Sequence, residues 1–174
     1  MIKLGEATAE AVIQANIDRI DLTEWMFNLT SDEYAACAEG HQSAAQAVLP
    51  SGKRFSVNAE FVAGYFMVQH YIETLSEKDH VLAVSPNTQM WLDDERYVSL
   101  QITWELSATK MDEQRTKLTC RVISETADAS FAQASQSRSE AGTTEMNPLQ
   151  LHINEETPLF AKDIERKAQA GIWN

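Results

Sequence analysis

The stretch YVSLQITWELSATKMDEQRTKLTCRVISE, residues 97–125, decides how this chain folds. Its first part places an apolar residue at every second position, at Val98, Leu100, Ile102, Trp104 and Leu106. After the polar segment ATKMDEQ the same alternation resumes, at Leu118, Cys120 and Val122. A period of two is typical of strands with one buried face, and a short polar connection between two such strands predicts an antiparallel β-hairpin.

Further segments upstream predict strands of the same sheet. In 52–61 the apolar row consists of Phe55, Val57 and Ala59. HVLAVSP (80–86) predicts a short strand that its proline ends, and residues 90–92 predict another. Together with the hairpin they predict a meander of five or six antiparallel strands over 52–125.

The stretch GYFMVQHYIET (64–74) contains an unusual residue for a strand interior. Phe66, Val68 and Ile72 form its apolar row, and His70 lies in register with them. Because the apolar row of a strand usually faces the core, His70 is predicted to face inward. Such an imidazole is interpreted as a satisfied core residue, a ligand contact or a proton-transfer group.

The N-terminal segment predicts one strand and one short helix. Residues 12–20 predict the strand, and a helix through 6–20 is the alternative because alanine is plentiful there. Asp21 or Thr23 is the expected cap of a short helix through 24–29.

Two other segments have weaker helical patterns. A second short helix is predicted from Ser31, as its N-cap, to Gly40. Residues 126–147 are rich in Ala, Ser, Gln and Thr, and they predict either a weak exposed helix or a variable loop.

A long amphipathic helix is predicted at the C-terminus. Asn147 is its candidate N-cap, Pro148 takes the first helical position and Gly171 ends it. Its apolar residues recur at steps of four and seven, at Leu149, Ile153, Phe160, Ile164 and Ala168. Pro158 interrupts the pattern, so we expect one kinked helix or two abutting ones. The alternative is a strand LQLHI followed by a helix that Thr157 caps.

Length, charge and cysteine content narrow the class of protein. At 174 residues the chain is predicted to be one domain (1–174), large enough to bury a core without disulfides. Its net charge of −12 argues against nucleic acid as a partner and against membrane insertion. Cys37 and Cys120 are predicted to be reduced, buried thiols. The sequence contains no leader-like or membrane-spanning pattern, so we expect a cytoplasmic location.

The predicted order of elements resembles a known superfamily. A strand, two short helices, a long meander and a terminal amphipathic helix resemble the helix-grip fold of the START-like superfamily, also called SRPBCC. Three stretches carry a local likeness, LTSDEYAACAEGH (29–41), SVNAEFVAGYFMVQHYIE (56–73) and EETPLFAKDIERKA (155–168). The resemblance implies an α+β fold in which a curved antiparallel sheet of about six or seven strands wraps around a long C-terminal helix. It also implies an apolar cavity between sheet and helix, and it transfers no catalytic motif.

The predicted ligand-binding residues follow from that implied cavity. They are the inward rows of the sheet and the apolar stripe of the helix, namely Phe66, Val68, His70, Ile72, Ile102, Trp104, Phe160 and Ile164. Pockets of this kind are mainly apolar with a few placed polar groups. His70 is the candidate catalytic residue, since an imidazole transfers protons near neutral pH.

Other chemistry is less well supported by the sequence. His41, His80 and His152 are not spaced as HxH, HxxxH or HExxH, so no metal site is predicted. Glu60 and Glu73 lie on strands neighbouring His70, and paired carboxylates can act in acid–base catalysis. The motifs GxSxG, GxGxxG and GxxxxGK[ST] are absent, so neither a serine nucleophile nor a cofactor is expected.

These observations lead to a leading function and two alternatives. The first is a binding protein that holds a hydrophobic or amphipathic small molecule between sheet and terminal helix. The second is an enzyme of the polyketide cyclase or dehydratase kind in which His70 is the general acid or base. A third hypothesis is a homodimeric structural or regulatory partner, which the mass in solution would test.

Overall fold

The fold is built on one curved antiparallel sheet. The computed structural model describes residues 1–92, 96–141 and 147–173. Within them seven strands form the sheet in the order β1-β7-β6-β5-β4-β3-β2. Their bounds are Ile2–Ile13 (β1), His41–Val48 (β2), Arg54–Val62 (β3), Tyr65–Ser76 (β4), His80–Trp91 (β5), Tyr97–Lys110 (β6) and Thr116–Thr126 (β7). Every neighbouring pair is antiparallel, so the predicted class is confirmed.

The helices lie before and after the meander. Their bounds are Leu22–Met26 (α1), Ser31–Ala35 (α2), Ala129–Ala141 (α3) and Pro148–Gln169 (α4), and one 3-10 turn spans Ile17–Arg19. Asp21, one of the two expected caps, begins α1, which spans Leu22–Met26 and not the predicted 24–29. The cap of α2 is Thr30 and not Ser31, because the Thr30 hydroxyl accepts the Glu33 N–H in a capping box. None of the described helices has the length and hydropathy needed to cross a bilayer.

The first strand differs from both interpretations of the N-terminus. β1 spans Ile2–Ile13, so the strand predicted over 12–20 and the helix predicted over 6–20 are both wrong. β1 pairs along its length with β7, from Ile2 opposite Thr126 to Ile13 opposite Thr116. This tertiary pairing outweighs the modest helical preference of the alanines.

Two other strand predictions need correction. β2 was not predicted, because its sequence HQSAAQAV is small and polar and, apart from its first residue, the strand is largely exposed at the edge of the sheet. β5 is one strand and not two, since it continues through Pro86 at a bulge between Ser85 and Thr88. Proline has no N–H for a regular ladder, and a bulge accommodates it.

The terminal helix has the predicted start and buried stripe. Asn147 accepts the Leu149 N–H as N-cap, and the helix continues through Pro158. The alternative with a strand followed by a capped helix is therefore wrong. The predicted stripe is confirmed, since Ile153, Phe160, Ile164 and Ala168 are fully buried and Leu149 packs against the core. The segment predicted as a weak helix or loop is helical over α3, and residues 142–146 lie outside the described part.

The inner faces of the two long hairpins differ in composition. In β6 and β7 the predicted apolar rows are buried, including Leu100, Ile102, Trp104, Leu106, Leu118 and Cys120. In β3 and β4 the buried rows are those predicted to face outward, Ser56, Asn58 and Glu60 with Met67, Gln69 and Tyr71. The predicted inward row of Phe66, Val68, His70 and Ile72 therefore lies on the outer face.

The apolar side chains on the outer rows of β3 and β4 shield one another from water. The Phe61 and Phe66 rings lie 5.2 Å apart between centroids, and the Phe55 and His70 rings stack at 6.4 Å. These contacts leave most of that row half-buried. Alternation identifies the two faces of a strand, but it does not reveal which face lies against α4.

Candidate functional site

A cavity of ≈ 570 Å³ lies between α4 and the inner face of the sheet. Much of its wall is apolar, formed by Met67, Tyr71, Leu100, Ile102, Trp104, Val122, Phe131 and Phe160. One side of the wall is closely packed, because the Trp104 and Phe160 rings lie 5.6 Å apart between centroids and both contact Trp25. A space of this size and lining is typical of sites for small organic molecules.

Only some of the predicted ligand-binding residues reach this cavity. Ile102, Trp104 and Phe160 line it, whereas Ile164 is fully buried in the core outside the cavity wall. The other predicted residues, Phe66, Val68, His70 and Ile72, are not in the wall because their row faces outward. From the same strand the wall takes Tyr65, Met67, Gln69 and Tyr71 instead.

His70 has a structural environment away from the cavity. Its backbone N–H donates to the Ser85 hydroxyl at 2.7 Å, next to the bulge of β5. Its ring lies 3.3 Å from the Asn87 carbonyl oxygen and stacks on Phe55. The prediction that His70 faces inward is therefore wrong, and its role in proton transfer stays a prediction that the cavity does not support.

The cavity wall adjoins a cluster of imidazoles and carboxylates, which we call the His/Glu cluster: His41, Glu60, His152 and Glu156. His41 Nε2 lies 3.1 Å from Glu60 Oε2 and 3.2 Å from Glu156 Oε2. His152 Nε2 lies 3.2 Å and 3.3 Å from the same two oxygens. Glu60, His152 and Glu156 line the cavity, and the His41 side chain is fully enclosed behind them.

Strand register and helix periodicity bring the four side chains together. His41 pairs directly opposite Glu60 in the β2–β3 ladder. His152 and Glu156 lie one helical turn apart on α4, so they share the face that looks at the sheet. Gly40 permits the close approach, because a Cβ on it would lie 2.3 Å from the Phe61 carbonyl oxygen.

Neighbouring groups hold the cluster in place. The Tyr34 hydroxyl donates to Glu60 Oε2 at 2.9 Å, and the Gln69 amide donates to Glu60 Oε1. The Tyr34 ring stacks on the His41 ring with centroids 4.0 Å apart. His41 Nδ1 lies 2.9 Å from the Tyr34 carbonyl oxygen, which makes Nδ1 the donor and directs Nε2 towards the carboxylates.

The electrostatics of the cluster favour charged groups despite burial. Burial disfavours an imidazolium, but hydrogen bonds to Glu156 and Glu60 raise the pKa of His41 to about 9. Burial is likewise outweighed at His152, where the same carboxylates raise the pKa to about 11. Burial also opposes ionisation of Glu60, yet His152 and His41 hold its pKa well below its usual range.

The prediction of no metal site considered only spacings between histidines. The described residues bring together four donor atoms, one from each member of the His/Glu cluster, all within 4.8 Å of one another. The other two histidines do not join them, since His70 lies on the outer face and His80 pairs with Glu105 at 2.8 Å. The available signal in the sequence was H-x-x-x-E over 152–156, on the buried stripe of the terminal helix.

Comparisons with known proteins agree with this architecture. The sequence matches no protein-family model, and no curated protein sequence matches it significantly. A solved structure of the Zhui aromatase/cyclase from Streptomyces sp. R1128 superposes with a TM-score of 0.63 at 13% identity, covering 95% of this chain and 96% of that one. A protein from Thermus thermophilus has a TM-score of 0.61 at 13% identity, covering 95% of this chain and 98% of that one.

A third solved structure carries the superfamily name that the sequence suggested. It is a START superfamily protein from Mycobacterium smegmatis, with a TM-score of 0.54 at 10% identity over 95% of this chain and 97% of that one. At sequence identities this low, a structural match shows a shared architecture and does not show a shared activity. The chain has the START-like helix-grip fold.

Proposed function

We propose that the protein binds an amphipathic small molecule in the cavity between α4 and the sheet. The observation that carries this proposal is a largely apolar cavity wall into which Glu60, His152 and Glu156 bring the ionisable groups of the His/Glu cluster. An apolar body would lie against Trp104 and Phe160, and polar atoms would lie near Gln69 and His152. Burial of apolar surface would supply most of the binding free energy, and the polar groups would set the orientation.

Two buried polar atoms in the wall support this orientation. Among the described residues, the buried Gln69 Oε1 has no hydrogen-bond partner, and the buried Trp104 Nε1 has none apart from the weakly accepting Cys120 thiol. Both residues line the cavity, and each is 4% exposed. An unpaired buried acceptor or donor costs about 1–3 kcal/mol, so a ligand that pairs with them would recover that cost.

Two measurements test this proposal. Native mass spectrometry of freshly purified protein looks for a co-purified apolar molecule. Fluorescence titration with 1-anilinonaphthalene-8-sulfonate then compares variants on the two faces of β6. Ile102→Trp fills the cavity and is expected to weaken dye binding at least about 10-fold, while Thr103→Trp on the other face leaves it unchanged. Equal dye binding by the wild type and a folded Ile102→Trp variant would exclude the cavity as the site.

A second candidate function is acid–base catalysis on a ligand in the same cavity. It is favoured by the ionisable groups of the His/Glu cluster that line the wall, with His152 in the role first assigned to His70. With a poly-β-ketone thioester as probe, His152→Gln should lower the rate of cyclisation or dehydration by roughly 10²-fold or more. His70→Gln is the matched control and should leave the rate unchanged. No turnover by the wild type would reject the enzyme and leave the binding protein.

A further inference from the structure

We infer that the His/Glu cluster is a centre for a first-row divalent transition-metal ion, bound by His41, Glu60, His152 and Glu156. This inference goes beyond small-molecule binding and does not depend on the identity of the organic ligand. It rests on the positions of the donor atoms, on the hydrogen-bonding capacity of the four side chains and on the groups behind them.

The distances between neighbouring donor atoms are close to, and slightly shorter than, those around a metal ion. Bonds of roughly 2.0–2.2 Å from zinc to nitrogen or oxygen place the ligand atoms of a tetrahedral centre roughly 3.3–3.6 Å apart. The four nitrogen-to-oxygen distances in the cluster are 3.1, 3.2, 3.2 and 3.3 Å. All four donor atoms lie within 4.8 Å of one another, so one ion can contact them all after small side-chain movements.

Hydrogen bonds alone satisfy this arrangement poorly. Each Nε2 faces two carboxylate oxygens at nearly equal distances, and each of those oxygens faces two nitrogens. An imidazole Nε2 carries at most one hydrogen, so it cannot point linearly at both oxygens. A cation placed between the two Nε2 and the two Oε2 atoms would instead accept one lone pair from each of the four donors.

The groups behind the donors are those expected around a metal centre. His41 Nδ1 donates to the Tyr34 carbonyl, which leaves Nε2 as the metal-facing nitrogen. Glu60 is held by the Tyr34 hydroxyl and the Gln69 amide. Cys120 Sγ lies 3.9 Å from Glu156 Oε1, and it is the other carboxylate oxygen that faces the histidines. Such hydrogen-bonding partners orient the ligands of metal sites.

The chemistry of the donors selects the class of ion. Two imidazole nitrogens and two carboxylate oxygens suit Zn²⁺, Fe²⁺, Co²⁺ or Mn²⁺, whereas Ca²⁺ and Mg²⁺ prefer oxygen ligands alone. Two positive charges would balance the two buried carboxylates if both imidazoles are neutral. An ion that prefers five or six ligands would keep a position facing the cavity, because three of the four residues line it.

The first measurement uses the wild-type chain. Protein treated with a chelator and freed of it is titrated with Co²⁺ and, in competition with a chromophoric chelator, with Zn²⁺. We expect one equivalent per chain and a visible d–d absorption band that Zn²⁺ removes. Failure of the wild type to bind Co²⁺ or Zn²⁺ would overturn the proposal without any variant.

Matched variants locate the ion. His152→Gln and Glu156→Gln each remove one ligand, and each should weaken Zn²⁺ binding by more than about 100-fold. Removing a group that only orients a ligand costs up to about 100-fold, and loss of the ligand itself should cost more. The control is His80→Gln, because His80 also lies 2.8 Å from a glutamate, but on the outer face. His80→Gln should bind one equivalent with unchanged affinity. Loss of binding in that control, or full binding by both ligand variants, would overturn the assignment.

The metal and ligand proposals fail independently. Titration with Co²⁺ or Zn²⁺ involves no organic molecule, and the dye titration can be done in the presence of a chelator. Circular dichroism melts of the metal-free variants check that each is folded before its affinity is compared.

Discussion

The β3–β4 and β6–β7 hairpins are both antiparallel, but they turn different rows of side chains towards α4. In β6–β7 the apolar rows face inward and the charged residues, such as Glu105 and Arg121, pair on the outer face. In β3–β4 the inner row includes Asn58, Glu60 and Gln69, and an apolar row faces outward.

The two inner rows make different contributions to the packing of one sheet. The inner row of β6–β7 closes the core against α4, where burial of each large apolar side chain contributes about 1.5–3 kcal/mol. The inner row of β3–β4 supplies polar atoms to the cavity wall, where they need partners from α2, β2 and α4. A polar inner row is stable only when its groups are satisfied, so we expect its members to be sensitive to removal of a partner.

The largest expected effect is the loss of the buried carboxylate in β3. Glu60→Gln leaves two buried imidazoles with one carboxylate between them, and it should lower the free energy of unfolding by about 3–5 kcal/mol. Glu105→Gln, the matched change on the outer face of β6, should cost about 1 kcal/mol or less. Urea unfolding of metal-free protein measures both. Equal losses would mean that the two faces are not electrostatically different.

The next effect tests which row of each hairpin is inside. Leu106 is fully buried in β6, so Leu106→Ala should cost about 3 kcal/mol through lost burial and the cavity that remains. Val68 belongs to the row first predicted to face inward, but it is only half-buried, and Val68→Ala should cost about 1 kcal/mol or less. Chemical denaturation compares the two variants. A larger loss of stability for Val68→Ala than for Leu106→Ala would mean that the row containing Val68 faces the core after all.

A smaller effect is expected at the turn of the β3–β4 hairpin. Ala63 has a φ of 53° and Gly64 a φ of 81°, so both positions of this two-residue loop are left-handed. Asparagine tolerates this conformation better than alanine, and Ala63→Asn should raise the free energy of unfolding by about 0.5–1 kcal/mol. The neighbouring Gly64→Ala should lower it. Thermal melts of the two variants should shift in opposite directions.

The smallest effect concerns the pH dependence of the outer face of β6–β7. Partial burial opposes ionisation of Glu105, but His80 and Arg121 lower its pKa from its usual value of 4.5. A lowered pKa stabilises the folded state above that value, and the contribution disappears as the pH falls through the folded pKa. Unfolding at a series of pH values should show Glu105→Gln less stable than the wild type near neutral pH and converging with it under acid conditions. A gap that stays constant down to the acid range would contradict this role.

Much of the fold could be predicted from local patterns. The alternation in β6 and β7 and the stripe of α4 are local and strong, and both are confirmed. β2 was not predictable in this way, because its small and polar residues form a strand only by pairing with β3. β1 was misplaced for a related reason, since pairing with β7 overrides its helical propensity.

The candidate site was harder to predict because it is assembled across the chain. The sequence indicates Glu60 as a possible acid–base residue and His41 and His152 as histidines without a metal-site spacing, and nothing along the chain connects the three. Their meeting requires the β2–β3 register and the docking of α4 on the sheet. His70 was the more conspicuous residue only because it interrupts an apolar row.

By itself, the sequence determined the antiparallel meander, the terminal helix with its cap and buried stripe, and the likeness to the helix-grip fold. It could do so because periods of two and near four are properties of consecutive residues. Only the tertiary structure decided which face of β3 and β4 lies inside and which side chains share the cavity wall. Those outcomes depend on contacts between residues such as His41 and Glu156, which are distant in sequence and lie 3.2 Å apart only after β2, β3 and α4 have packed.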